Sequence, residues 1–213
     1  ADTRTAYNSL PTTERKYVLK ELLDLLTSWE KSTATAATIN KQIDAIKTNV
    51  FANLDDEKLT DTKKRSTVTS FITKVRTAES SYAKINEREL VQNRVRLEAL
   101  IPITKIADQV VNLNVTSTSY AEDLLAAENK LNEWDSLKEA IPPAEAANVE
   151  KLHQFLTSYL RLQKEEYSIA AKLDADILIF QNAELVDLQQ IDAAREKYNS
   201  LSANGKRLVK NIK

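Results

Sequence analysis

The chain has 213 residues, with one Gly, four Pro, no Cys and no Met. So few breakers, with abundant Ala, Leu, Lys and Glu, dictate a nearly all-helical protein, and the missing Cys excludes disulfide frameworks, thiolate metal sites and cysteine nucleophiles. Thirty basic against 31 acidic residues give a net charge of −1, which lacks the basic excess of a nucleic-acid binder. Because Met is absent even at position 1, the sequence reads as a segment of a longer or processed chain. Its longest apolar runs, such as Ile177 to Phe180, fall far below the ~20 residues that span a bilayer, so no membrane insertion is expected.

In chain order, Pro11 sits in a turn and Thr12 or Thr13 can cap a helix. Tyr17, Leu22, Leu25, Leu26 and Trp29 recur at three- and four-residue intervals, the pattern of a core-facing stripe. Ser32-Thr33-Ala34-Thr35 weakens the helical signal and marks the expected first reversal. Ile39, Ile43, Ile46 and Val50 form a second stripe. Leu54-Asp55-Asp56-Glu57 reads as a helix end followed by an acidic helix start.

A third helix is expected from Asp56 to Tyr82, carrying Leu59, Val68, Phe71, Ile72 and Val75, about 40 Å long. After a turn at Ala83 to Asn86, the stripe Leu90, Val91, Val95, Leu97, Leu100, Ile101 runs until Pro102 breaks or kinks it. A short helix from Ile103 to Leu113 and a loop from Asn114 to Ser119 follow; Asn114-Val115-Thr116 is a glycosylation sequon. Tyr120 to Leu137 is helical, and Pro142-Pro143 fits a turn and a first helical position. A long helix from Ala144 to Lys172 buries Val149, Leu152, Phe155, Leu156, Tyr159, Leu162 and Tyr167. Asp174 to Gln181 is helix or loop, Glu184 to Tyr198 is the last full helix, and Ser202 to Gly205 is a turn before a further helix start.

Across these elements one frame repeats. Tyr198-Asn199-Ser200-Leu201 leads to Arg207-Leu208-Val209, as Tyr7-Asn8-Ser9-Leu10 leads to Lys16-Tyr17-Val18. Tyr82 leads through Ile85 to Leu90-Val91 with a turn two residues shorter, and Trp134-Asp135-Ser136-Leu137 is a weaker fourth copy. A recurring helix end, turn and helix start is the signature of stacked units. The expected architecture is all-α: consecutive spectrin-like three-helix bundles joined by contiguous helices into an elongated rod. Its expected domains are 1–82, 83–137 and 138–213, the last running into a further unit.

The pattern Ile191-x-x-Ala194-Arg195-x-x-Tyr198-Asn199-x-Leu201, then Lys206-Arg207-Leu208-Val209-x-Asn211, resembles helical repeats of Gram-positive surface-layer (S-layer) and wall-associated proteins. The resemblance implies an extracellular, non-enzymatic segment that acts as spacer or lattice element. Its partners would be secondary cell-wall polymer or neighbouring S-layer subunits. A second reading is a glycan-binding anchor, and a third an intracellular spectrin-like scaffold that binds partner helices.

Individual residues add little chemistry. His153 is the only histidine, and without a second His or a Cys it has no catalytic or metal partner set; no catalytic residue and no cofactor are expected. Asp55, Asp56, Glu57 and Asp61 form the densest acidic cluster. The surface-layer resemblance implies calcium, which oxygen ligands from such a loop could bind, but the tight Gly turn of an EF-hand is missing, and helix capping explains it better. A wall glycan could meet basic and aromatic residues at the helix starts through ion pairs and ring stacking. The candidate residues are Tyr7, Arg15, Lys16, Tyr17, Lys63, Lys64, Arg65, Tyr82 and Arg88. The same residues also suit an ordinary solvated helix face.

Overall fold

A computed structural model describes residues 2–182 and 188–211, and every regular element among them is a helix. In order these are α1 (Asp2–Ser9), α2 (Thr12–Arg15), α3 (Lys20–Asp44), α4 (Asp61–Tyr82) and α5 (Arg94–Val111). Then come α6 (Tyr120–Asn132), α7 (Trp134–Leu137), α8 (Pro143–Asn182), α9 (Leu188–Ser200) and α10 (Ala203–Leu208). Two compact units contain them: Ala1–Ile46 with Thr73–Glu98, and Lys47–Ile72 with Ala99–Lys213. Helices α4 and α5 each contribute one part to each unit.

In the first unit, α3 runs unbroken through Ser32–Thr35, where the sequence suggested a reversal. The hydroxyls of Thr27, Thr33, Thr35 and Thr38 donate to the carbonyls of Leu23, Trp29, Lys31 and Ala34, four residues back, at 2.8–3.1 Å. Bonded inside the helix, they no longer offer the backbone an alternative to it. The second half of α3 buries Ala36, Ile39 and Ile43, and Ile46 follows just past its end. The first half departs from expectation, because Tyr17, Leu22, Leu25 and Trp29 are exposed. Periodicity marks a face, but only a partner element buries it. The helix ends under Arg96, whose guanidinium donates to the carbonyls of Ile43 and of Ile46 (2.6 Å), so carbonyls left without intrahelical partners are satisfied.

In the second unit, α4 starts at Asp61, five residues later than the acidic run suggested. Asp56 Oδ1 instead accepts the Lys58 N–H at 2.9 Å and closes a local turn. Thr60 takes the cap, accepting from Lys63 N (side chain, 3.4 Å) and Lys64 N (carbonyl, 3.0 Å). Helix α5 passes through Pro102 without ending. The proline removes the bond to the Glu98 carbonyl, yet Leu100, Ile103, Ile106 and Ala107 around it are buried and hold the turn. Pro143 opens α8 as expected, and α8 continues through the ambiguous Asp174 to Gln181 stretch for 40 residues, about 60 Å. Val50, Val95 and Leu162, expected in the core, are exposed, whereas Phe51 is buried edge-on against Phe71 at 4.9 Å. The expected last-helix start at Glu184 lies outside the described residues, and the expected turn at Ser202 to Gly205 winds into α10.

The two halves of α3 should respond differently to truncation. Ile39→Ala removes a fully buried side chain and should cost about 2–5 kcal/mol in denaturant melts. Leu22→Ala should stay within about 0.5 kcal/mol of the parent.

Candidate functional site

The repeated tyrosines sit at three chain reversals built in the same way. The N–H of Leu10, of Ile85 and of Leu201 each donates to the carbonyl of the tyrosine three residues before it, Tyr7 (3.2 Å), Tyr82 (3.4 Å) and Tyr198 (3.2 Å). A single short helix follows: α2, the 3-10 turn Arg88–Leu90, and α10. From it a cation returns over the ring, Arg15 over Tyr7 (5.8 Å), Arg88 over Tyr82 (5.2 Å) and Lys206 over Tyr198 (5.5 Å). The middle turn is two residues shorter, and its cation comes two residues sooner.

Extended backbone follows, at Val91 (φ −84°, ψ 104°), just before α5, and at Val209 (φ −80°, ψ 116°). At both places a long helix supplies an acceptor for a backbone N–H two residues on. Asn40 of α3 accepts the Asn93 N–H at 3.4 Å, and Asp174 of α8 accepts the Asn211 N–H at 2.9 Å. Two turns earlier on each long helix, a second side chain holds the reversal. Ser32 donates to Glu87 at 2.7 Å, and Glu166 accepts the Ser202 N–H at 3.2 Å. Gly205 lies at this second contact, where a Cβ would stand 3.1 Å from Leu201 and 3.3 Å from the Glu166 carboxyl carbon.

The contacts from Asn40, Asp174 and Arg96 were not visible in the sequence. Their only signal is that Val91-x-Asn93 and Val209-x-Asn211 share a spacing. Trp134, the weaker fourth copy, opens α7 and is buried under the ring of His153 (4.8 Å, 14° between planes). Glu150 Oε1 lies 3.5 Å from His153 Nδ1.

The candidate residues divide by how the fold already uses them. Arg15 donates to the carbonyls of Leu10 (2.9 Å) and Asn8, closing the end of α1 while covering Tyr7. Arg65 donates to the Val111 carbonyl at 2.7 Å and lies 5.5 Å over Tyr159. Arg88 covers Tyr82, whose hydroxyl donates to Glu98 at 2.6 Å. Lys16 lies 5.2 Å over Tyr17, and both are exposed. Lys63 is exposed on α4. Lys64 joins Asp55, Asp61, Lys151, Phe155 and Tyr159 around an open cleft of about 390 Å³. There Lys151 bonds Asp55 at 2.5 Å and holds that carboxyl below its usual range. Two acids facing two lysines give the cleft no net preference for either sign of ligand.

Among the described residues, no three His, Cys, Asp or Glu side chains gather as a metal site, and no helix is long and apolar enough to cross a membrane. Compared with known proteins, the chain matches no family model, no curated protein and no solved structure.

Two measurements follow from this geometry. Arg88→Ala and Lys206→Ala should each cost about 0.5–1 kcal/mol in denaturant melts, and Arg15→Ala more, because two carbonyls of α1 lose their donor. Burial pushes the Tyr120 hydroxyl, bonded to Gln163 at 3.1 Å, up to about 12 from 10.0. The unfolded chain ionises this group first, so stability should fall as pH rises from 10 through about 12. Tyr120→Phe should flatten that part of the melting-temperature profile.

Proposed function

We propose that the chain is a non-enzymatic structural segment of a Gram-positive surface-layer or cell-wall protein, a helical spacer or lattice element. In this reading it lies outside the cell, and its helices group into consecutive three-helix bundles that run on into one another as a rod. Its neighbours are secondary cell-wall polymer or adjacent S-layer subunits. The observation that carries the reading is the recurrence of one reversal, with tyrosine, turn and returning cation, at Tyr7, Tyr82 and Tyr198. A repeated structural joint suits a chain whose task is to hold spacing along its length. The balanced charge and the tyrosines already covered by the fold's own cations agree with a load-carrying element.

One observation favours the anchoring alternative. Lys16 and Tyr17 stand together in solvent, Tyr17 at 77% exposure, and offer a cation and a ring face to an anionic glycan.

Small-angle scattering tests the rod. A compact globule of this length has a radius of gyration of about 17 Å; the proposal expects a value at least half as large again, and a compact value sinks it. A pull-down on native sacculi and on sacculi stripped of secondary polymer separates the two surface readings. Binding to native sacculi alone, lost with Tyr17→Ala and Lys16→Glu together, would make the chain an anchor; no binding to either leaves it a spacer.

A further inference from the structure

Helices α3 and α8 carry matching apolar residues at the same places relative to Asn40 and Asp174. Ala36, Ile39 and Ile43 of α3 correspond to Ala170, Leu173 and Ile177 of α8. All of these but Ile177 are buried, and Ile177 is half-buried. Carried toward the N-terminus, the same register sets Leu22, Leu25 and Trp29 against Leu156, Tyr159 and Gln163. Here the helices part. Leu156, Tyr159 and Gln163 are 0%, 7% and 8% exposed, whereas Leu22, Leu25 and Trp29 are 56%, 55% and 47% exposed.

Two groups of residues cover this stretch of α8. One is α6, with Tyr120 bonded to Gln163 and Glu128 paired to Lys164 at 2.6 Å. The other comprises the 3-10 turn Asn49–Asn53 and the start of α4, with Arg65 over Tyr159 and with Leu54 and Lys64 beside Phe155. In the first unit α6 has a counterpart. Arg4 of α1 pairs with Glu30, the residue that matches Lys164, at 2.8 Å with the charges exchanged. The second group has no counterpart on α3 among the described residues, and the stripe it would cover is the bare one.

We propose that the Leu22–Leu25–Trp29 face of α3 is a docking site for a basic-edged amphipathic helix of a partner polypeptide. The helix is of the kind that the start of α4 presents to α8. The face continues the buried seam of α3 without a break, so an incoming helix extends an interface that already exists. Charge selects the partner. Lys64 borders Phe155 and Ser158 in the second unit, and the α3 residues in those positions are the exposed acids Glu21 and Asp24. A lysine carried at the place of Lys64 meets two carboxylates on α3, and it screens an apolar strip rimmed by negative charge. The helix-binding part of the scaffold reading thus has a location, and the inference needs neither the wall reading nor any compartment.

The full chain, titrated with a synthetic peptide of residues 47–72, tests this through Trp29. The peptide contains no Trp, and Trp134 is 2% exposed and contributes a constant background. The expected result is a saturable blue shift of emission with a micromolar Kd. Leu25→Asp should weaken it at least tenfold, and Asp24→Lys several-fold, with unchanged circular dichroism melts because both positions are exposed. No shift at millimolar peptide overturns the proposal. So does a shift that Leu25→Asp leaves intact, since the peptide then binds elsewhere. Concentration-dependent dimerisation that buries Trp29 without peptide also overturns it and assigns the face to a second copy of this chain.

Discussion

A helix that ends inside a packed protein must find donors for its last carbonyls and acceptors for the first N–H groups of the helix that follows. With a single glycine, this chain cannot rely on left-handed caps, and among the described residues none takes a positive φ. It relies on side chains sent across from neighbouring segments. Arginines close the ends of α1, α3 and α5, and polar residues on long helices accept the backbone N–H of Asn93, at the start of α5, and of Asn211. The reversals after Tyr82 and Tyr198 are therefore tertiary: a long helix completes each of them. The tyrosine ring fixes where the returning short helix lies, because a cation held over the ring leaves that helix little freedom to swing.

That dependence explains what could be read from the sequence. The tyrosine frame at Tyr7, Tyr82 and Tyr198 was legible because the ring and the following apolar residue lie within one short stretch; its cations were not, since the frame pointed to Lys16 and Arg207 while the neighbouring Arg15 and Lys206 cover the rings. Even the shortened middle turn was visible. Asn40, Asp174 and Arg96 were hidden, since nothing local tells an ordinary polar residue on a helix from one that bonds a distant backbone group. The threonines of α3 misled in the opposite direction. Their composition suggested a break, but hydroxyls bonded four residues back are compatible with helix, and the burial of Ala36, Ile39 and Ile43 kept the helix continuous. Pro102 misled likewise, because one missing bond in α5 was outweighed by the buried residues on either side of it.

Burial was the least legible property. Leu22, Leu25 and Trp29 have the same periodicity as Ile39 and Ile43, and nothing in the helix distinguishes them. The difference lies in what stands opposite, as α8 demonstrates with the same register under cover. Among the basic candidates, the sequence also could not say which charges the fold had already claimed. Arg15, Arg65 and Arg88 each lie over a tyrosine of their own unit, so their positive charge serves the joint as well as the surface.

The joint asks for little from the rest of the chain. An aromatic ring, an apolar residue three places on, and a cation that is Arg in two reversals and Lys in the third are all that the three share. The shorter middle turn preserves all of them. Substitutions at the intervening positions, and even small deletions in the turn, leave the contact intact. Two units can therefore drift until their sequences share almost nothing beyond those few positions and still turn their helices back in the same way. A protein assembled from such joints keeps its geometry long after its ancestry has faded from its letters.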